Sequence, residues 1–487
     1  MTSAEQLNLG MNSMSRFLLC LPLLGFGCTH LAVDDVTQPP ASPNVVLIFV
    51  DDLGYGDLGC TGGPYRTPNI DRLALEGAFF QDLTVAQPVC SASRAAILTG
   101  CYPNRLGIHG ALGPHDKHGL NPEETTLAEL MKSQGYATAL FGKWHLGIQP
   151  ELLPTRQGFD EFAGLPYSND MWPHHPASDS YPPLPFFEQE EIVAHDPDQR
   201  TFTRGFAQRG VEFIRRSHEA ERPFFLYLPH PMPHVPLFVS EEFEGHSGKG
   251  LYGDVVEEID ASVGMVLDVL DELQLSHNTL VIFTSDNGPW LSYGDHGGST
   301  GGFREGKGTV FEGGVREPMV MRWPAGIPAG TVIEEPCMTI DLFPTLATFT
   351  GAPLPSQVID GRDLAPLLTG EVTSLDPEHA YYYWYRTNEL HAMRLGQWKL
   401  HFPHGYRSMK NRELGSGGLP GKYDYSVTTG LELYNLYANP AEDIDLAAKR
   451  PEVVARMEAL ADAMRARLGD RLQEIEGAEN RSPGIFE

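Results

Sequence analysis

The chain is 487 residues long, enough for one large core with an appendage or for two domains. Its 41% hydrophobic and 10% aromatic content is ordinary for a globular protein. A formal charge of -29 excludes a protein that tracks nucleic-acid phosphates, but leaves room for a small anionic ligand where basic groups gather locally.

At the N-terminus, Arg16 precedes FLLCLPLLGFGC, an apolar run too short for a membrane span and suited to a signal peptide, with Met11 or Met14 as a more natural start than Met1. The run ends at Gly27-Cys28, which resembles a bacterial lipobox, although Gly25 stands where leucine is usual. Residues 1–28 are therefore expected to be a cleaved signal peptide or a lipoprotein leader anchored through Cys28, and residues 29–43 a linker. Either leader exports the mature chain, to the periplasm or beyond. Downstream of residue 40 no apolar stretch is long enough to cross a bilayer.

NVVLIFV, Asn44 to Val50, reads as a strand buried on both faces, and it runs into Asp51-Asp52. Thr67-Pro68 opens a helix with a cap and a first-turn proline. In PVCSASRAAILTG, Cys90 falls at or just before a helix N-terminus, where the dipole favours an anionic nucleophile, and Arg94 lies one turn on. TTLAELMKSQG, 125–135, is a helix ending at glycine. YATALF, 136–141, is a strand leading into Gly142-Lys143-Trp144-His145. PFFLYL, 223–228, leads into PHPMPH and His234. Residues 254–273 carry apolar residues at helical spacing. NTLVIFTS, 278–285, leads into Asp286-Asn287-Gly288. Strands alternating with helices give an α/β fold with a large, mostly parallel central sheet flanked by helices.

From about residue 375 the texture changes. YYYWY, 381–385, and AMRLGQWKLHF, 392–402, read as strands of a smaller antiparallel sheet, and a charged amphipathic helix runs from about 451 to 472. The expected division is a catalytic domain at 44–372 and a C-terminal subdomain at 373–487.

Four strands thus deliver chemically capable residues at their carboxyl ends, where open α/β sheets build ligand sites. Adjacent Asp51-Asp52 is most simply a solvated turn. Joined by Asp286 and the Asn287 carbonyl oxygen, it makes an all-oxygen ligand set for a hard cation, Ca2+ or Mg2+, rather than zinc. Arg94, Lys143, His145, His234 and Lys307 come from separate segments, and a compact anion needs such donors around it. Lys143 and Lys307 are read inside Gly-rich loops, GKWHLG and REGKGTVFEGG, that admit close backbone approach. Cys60, Cys101 and Cys337 are too few for a disulfide scaffold and allow one bridge, with no preferred pair.

Cys90-Ser91-Ala92-Ser93-Arg94 resembles the sulfatase signature, whose cysteine is converted to Cα-formylglycine. The resemblance extends through DDLGYGDLGCTGGP, LTGCYPNRLGIHG, GKWHLG, GLPYSND, PHVP, TSDNG, REGKGTVFEGGVREP and DLFPTLATFTG, which match arylsulfatase-A-like sulfatases closely. It implies an alkaline-phosphatase-like fold and hydrolysis of a sulfate ester, with a sulfated small molecule or glycan as substrate. It also implies Asp51, Asp52, Asp286, Asn287 and modified Cys90 as Ca2+ ligands. The hydrated aldehyde at 90 would attack sulfur, activated by the metal and a carboxylate such as Asp286. Arg94 would hold the formylglycine oxygen, and Lys143, Ser168, His234 and Lys307 the sulfate oxygens. His234 or Lys307 would protonate the leaving alcohol, and His145 would take the proton that releases sulfate. Ala92 stands where many members have proline, which leaves the type of maturase open.

Two other readings remain at this stage. Formylglycine-dependent phosphonate and phosphodiester hydrolases share the signature, and an unmodified Cys90 would leave a Ca2+-dependent binder of sulfated glycans. The leaving-group side falls to loops such as 171–185, where Trp172, His174, His175 and Tyr181 either stack on a sugar or fill the loop core.

Overall fold

In the computed structural model, which describes residues 42–176 and 178–486, Asn44–Val50 forms β1, buried throughout after Asn44. Val45, Leu47 and Phe49 enter one core while Val46, Ile48 and Val50 enter another, as the period of two requires of a strand covered on both faces. The expected leader, and the linker as far as residue 41, lie outside the described residues.

The strands that share β1's sheet are Ala78–Phe80 (β2), Ala137–Lys143 (β3), Glu161–Leu165 (β4), Pro185–Glu188 (β5), Glu191–His195 (β6), Phe224–Pro229 (β7), Thr279–Ser285 (β8), Met319–Arg322 (β9) and Thr331–Ile333 (β10). Their order is β10-β2-β9-β8-β1-β7-β3-β4-β5-β6. From β8 to β4 the strands run parallel. Towards the margins β9 pairs antiparallel with both β8 and β2, and β5 and β6 add an antiparallel hairpin. The sheet is therefore mixed, because short marginal strands join a parallel centre.

Pro68–Leu75 (α1), Phe202–Glu219 (α4) and Leu251–Glu272 (α5) pack on the Val46 face, and Cys90–Thr99 (α2), Leu127–Ser133 (α3) and Leu342–Thr350 (α6) on the Val45 face. Thr126 caps α3 through a reciprocal pair with Glu129, which stops the helix entering the 125–126 segment.

Past the large sheet, Ala380–Tyr385 (β11), Glu389–Leu395 (β12), Trp398–His401 (β13) and Glu432–Asn435 (β16) form an antiparallel sheet. His404–Ser408 (β14) and Asp424–Thr429 (β15) pair as a separate ribbon, and Pro451–Leu468 is α7. The segment read as one strand over 392–402 is broken at Gly396, whose φ of 52° turns the chain into a hairpin. Tyr383, Trp384, Leu400 and Met457 share a core with Val85, Val310 and Ile340, so this sheet packs onto loops of the larger one.

Cys60, Cys101 and Cys337 are all free, so the bridge the sequence allowed is absent. They sit apart: Cys101 Sγ meets the Thr99 and Val358 carbonyls, Cys337 Sγ the Glu335 carbonyl, and the Cys60 backbone is held by Asp71. Among the described residues no helix is long and apolar enough to cross a membrane.

Candidate functional site

The site is built where β1 and β8 end side by side. Val50 pairs with Ser285, so Asp51-Asp52 and Asp286-Asn287 emerge together. The Asp52 backbone N–H donates to Asp286 Oδ1 at 3.2 Å, and Asn287 Nδ2 donates to Asp52 Oδ1 at 2.7 Å. Asp52 adopts a left-handed φ of 64°, a cost that marks a position held for its side chain.

Lys143 is not in a loop: it is the last residue of β3, fully buried. The glycine before it serves strand packing, since a Cβ at Gly142 would lie 2.1 Å from the Pro229 carbonyl oxygen of β7. Lys143 Nζ makes a short contact with Asp51 and donates to Ser168 Oγ at 3.0 Å.

Cys90 is the first residue of α2, as the sequence predicts, and Arg94 projects from the next turn. Arg94 is completely buried. Its Nη2 donates to Asp286 Oδ2 at 2.8 Å and lies 3.4 Å from Asp51 Oδ2, while Nη1 donates to the Lys143 carbonyl at 3.1 Å. Sulfur and carboxylate oxygens of Cys90, Asp51 and Asp286 all fall within 4.8 Å of one another.

His145, also left-handed at φ 62°, bonds through Nε2 to the Leu112 carbonyl at 2.7 Å. A carbonyl accepts only, so Nε2 carries the proton and the buried, unpartnered Nδ1 is a free lone pair. Leu112 is in turn tied to α2, its N–H donating to Ser91 Oγ at 2.9 Å. His234, after β7, donates from Nδ1 to the Val235 carbonyl and turns Nε2 to within 3.7 Å of Asp52 Oδ2. Lys307 Nζ donates to both Asp52 oxygens, at 2.6 and 2.9 Å. The predicted site residues other than His145 therefore meet in one cluster, and His145 is tied to it through Leu112 and Ser91 of α2.

Burial raises the Asp51 carboxyl, but Lys143, His234, Arg94 and Lys307 together outweigh it and hold the group well below the usual carboxylate range. Burial and then the Asp51 charge push its neighbour Asp286 up to about 7, against Arg94. Two carboxylates share one guanidinium, and ionising both is costly. Burial, then Lys143 and Arg94, hold His145 neutral, and burial with Lys307 does the same for His234. Burial also pushes the Cys90 thiol up to about 11, although Lys143 and Lys307 oppose it. The expected helix-terminus activation of a thiolate is thus overridden by desolvation.

The donor set fits a hard divalent cation. The ligand atoms on offer are mostly carboxylate and carboxamide oxygens, with a His234 nitrogen and the Cys90 sulfur beside them, and Asp51 Oδ1 and Asn287 Oδ1 are buried with no hydrogen-bond partner. The cluster of Asp51, Asp52 and Asp286 against Arg94, Lys143 and Lys307 is formally neutral. A divalent cation would leave it positive towards a sulfate.

Of the loop aromatics, Trp172 packs on His174 and Phe238, and His175 on Tyr181, with His174 exposed and the other three half-buried. A ring outside that loop that meets the site is Trp290, which has no signal beyond its place four residues after Asp286. Lys307 Nζ lies 4.6 Å from its centroid and the His234 ring 5.5 Å. Arg407, from β14, also reaches this wall, and nothing in the sequence singles it out.

The family model described as Sulfatase matches residues 43–352, and one described as C-terminal region of aryl-sulfatase matches 377–482. Among curated relatives, an N-acetylgalactosamine-6-sulfatase of Canis lupus familiaris is 38% identical, covering 89% of this chain and 85% of its own. An arylsulfatase A of Homo sapiens is 39% identical, covering 86% and 87%. Among solved structures, the PsFucS1 sulfatase from Pseudoalteromonas sp. superposes with a TM-score of 0.77 at 28% identity, covering 91% of this chain and 92% of that one.

Proposed function

The chain belongs to the sulfatase family, a family of sulfuric ester hydrolases, and we propose that its nucleophile is a formylglycine made from Cys90. The observation that carries this is the placing of Cys90 within 4.8 Å of Asp51 and Asp286 oxygens, its thiol too buried to ionise at neutral pH. A neutral thiol attacks poorly. Oxidation by a separate maturase gives an aldehyde, whose hydrate supplies an oxygen nucleophile instead. Asp51, Asp52, Asp286, Asn287 and residue 90 hold a Ca2+ or Mg2+ ion, which when bound supplies Lewis-acid stabilisation of negative charge.

The chain's own groups divide the remaining work. Arg94 braces Asp51 and Asp286 and, one turn on from residue 90, would hold the formylglycine oxygen. Lys143, Ser168, His234 and Lys307 bind the sulfate oxygens. The free Nδ1 of His145 suits it to accept a proton from residue 90 when sulfate departs. We assign the proton donated to the leaving alcohol to Lys307, whose Nζ brings N–H donors to Asp52, because the His234 N–H is already spent on the Val235 carbonyl.

The substrate we propose is a sulfated carbohydrate, in keeping with the relatives named as N-acetylgalactosamine-6-sulfatases. Export, read from the apolar run before Cys28, belongs to the same proposal. Peptide mass analysis tests the nucleophile: exchange of CH2SH for CHO lowers the residue-90 peptide by about 18 Da. A screen of sulfated mono- and oligosaccharides tests the substrate, and turnover confined to phosphonates would refute it.

A further inference from the structure

Lys307 stands on a loop of the large sheet's half of the chain, yet three consecutive residues of β14, about a hundred positions later, grip that loop. Arg304 Nη2 donates to the Tyr406 hydroxyl at 3.0 Å, and Ser408 Oγ donates to Glu305 Oε1 at 2.7 Å. Between them, Arg407 Nε donates to the Lys307 carbonyl at 2.9 Å, and its Nη2 donates to the same oxygen. Gly308, at φ +78°, makes the approach possible, since a Cβ there would lie 2.5 Å from the Arg407 guanidinium carbon.

The guanidinium lies over two aromatic rings. Its Cζ lies 4.6 Å from the Tyr423 centroid and 5.9 Å from that of Trp290, the ring that Lys307 Nζ overlies. Among the described residues no carboxylate forms an ion pair with Arg407, although it feels the charge of Asp52. A partly buried cation that spends two donors on one carbonyl, and feels the Asp52 charge without pairing with it, contributes little to stability by that contact alone. It makes sense as a brace for the residue whose carbonyl it holds, in a site that receives an anion.

We infer that Arg407 is a positioning residue for Lys307, and that through it the C-terminal part of the chain completes the active site. The inference rests on the role proposed above for Lys307. Arg407 fixes the main chain at 307 so that Nζ stays between Asp52 and Trp290, where a leaving alcohol would take its proton.

The test is a double-mutant cycle in the full-length matured enzyme with Arg407→Gln, Lys307→Ala and the pair, assayed on a sugar sulfate and an aryl sulfate. Arg407→Gln is expected to lower kcat about tenfold to a hundredfold on the sugar sulfate, the scale of a small misplacement of a reacting group. The aryl sulfate should lose much less, because its leaving group needs little protonation. Arg407→Lys, which keeps one donor and the charge, should recover part of the rate, and it carries the same cycle if the glutamine variant folds poorly. In the Lys307→Ala background either change at 407 should cost nothing further. Equal loss on both substrates, or a loss that adds in full to that of Lys307→Ala, overturns the positioning role. So does a wild-type rate in Arg407→Gln when Lys307→Ala is crippled. A wild-type rate in Lys307→Ala instead overturns the reading of Lys307 itself.

Discussion

Two buried ionic clusters of matching make-up lie in this molecule, and they are finished differently. The strand-end cluster sets Asp51, Asp52 and Asp286 against Arg94, Lys143 and Lys307. The other, under the C-terminal sheet, sets Asp82, Glu312 and Glu442 against Arg316, Arg394 and Lys399. In the second every carboxylate oxygen is engaged. Glu312 takes Lys399 at 2.7 Å and Arg316 at 2.5 Å, Asp82 takes Arg394 and Arg316, and Glu442 takes His401 at 2.8 Å and the Glu312 backbone N–H at 2.6 Å. In the first, Asp51 Oδ1, Asn287 Oδ1 and His145 Nδ1 are buried without a partner. Charge and burial are alike, so neither distinguishes a site from a strut. The carboxylates do: those of the closed cluster have every oxygen engaged, whereas Asp51 keeps Oδ1 bare beside the bare Asn287 Oδ1, as an oxygen-ligand site requires.

The largest effect that would break this contrast concerns the strand-end cluster. Cys90→Ala should keep the fold and reduce turnover below about a hundredth of wild type, since only transition-state stabilisation by the remaining groups survives. A variant that stays above that level would remove residue 90 from the chemistry. Next, chelation should abolish activity, and Ca2+ or Mg2+ should restore it. The same ions should raise the melting temperature of chelated enzyme, as any ligand of the folded state must. Stoichiometric zinc in fully active enzyme, or a melt indifferent to Ca2+, would contradict an oxygen-ligand site.

The closed cluster should answer in the opposite currency. Lys399→Met strands two buried carboxylates and should cost about 3–5 kcal/mol of stability. Turnover per folded molecule should stay close to wild type. Asp286→Asn should do the reverse, losing activity while the chelated protein melts no lower than wild type, because it relieves repulsion from Asp51. Chemical denaturation with active-site titration checks both. If Lys399→Met lost activity and kept its stability, the division between the clusters would fail.

What the sequence made legible follows the same physics. The strands from β8 through β3 are continuous apolar runs, and they stand within two residues of where the pattern puts them because burial on both faces leaves no other reading. The residues they deliver could be named for the same reason. The marginal strands β2, β9 and β10 are three or four residues long, too short for a period to register, and so the mixed margins were hidden. By its sequence Lys143 reads as a loop residue because Gly142 looks like a turn, whereas that glycine answers a close approach by Pro229. Arg407 and Trp290 were illegible for a deeper reason. Their importance lies in contacts with Lys307 made across sequence separations that no local pattern encodes.

The smallest predicted effect concerns the histidines beside the closed cluster. His404 stacks on His391 at 3.9 Å between centroids and lies 6.0 Å from His401. Its Nδ1–H donates to the Phe402 carbonyl at 2.7 Å, and its Nε2 is buried without a partner. Burial, with His391 and His401 adding to it, holds His404 down to about 2, so the folded protein keeps it neutral. The unfolded chain takes up that proton near 6.5, so stability is complete above that pH and declines as the pH falls below it. The slope is at most about 1.4 kcal/mol per pH unit for one such group. Buried Asp57, Asp260 and Asp341, each raised to about 6 chiefly by burial, push the other way, gaining relative stability as acid neutralises them. The informative quantity is therefore the difference between wild type and His404→Phe, measured as urea unfolding free energies at pH 7 and pH 5. The variant gives up the Phe402 hydrogen bond and should start lower at pH 7, then lose less than wild type on going to pH 5. Equal losses in the two proteins would mean that His404 carries its proton in the folded state, and that the histidine stack can hold charge.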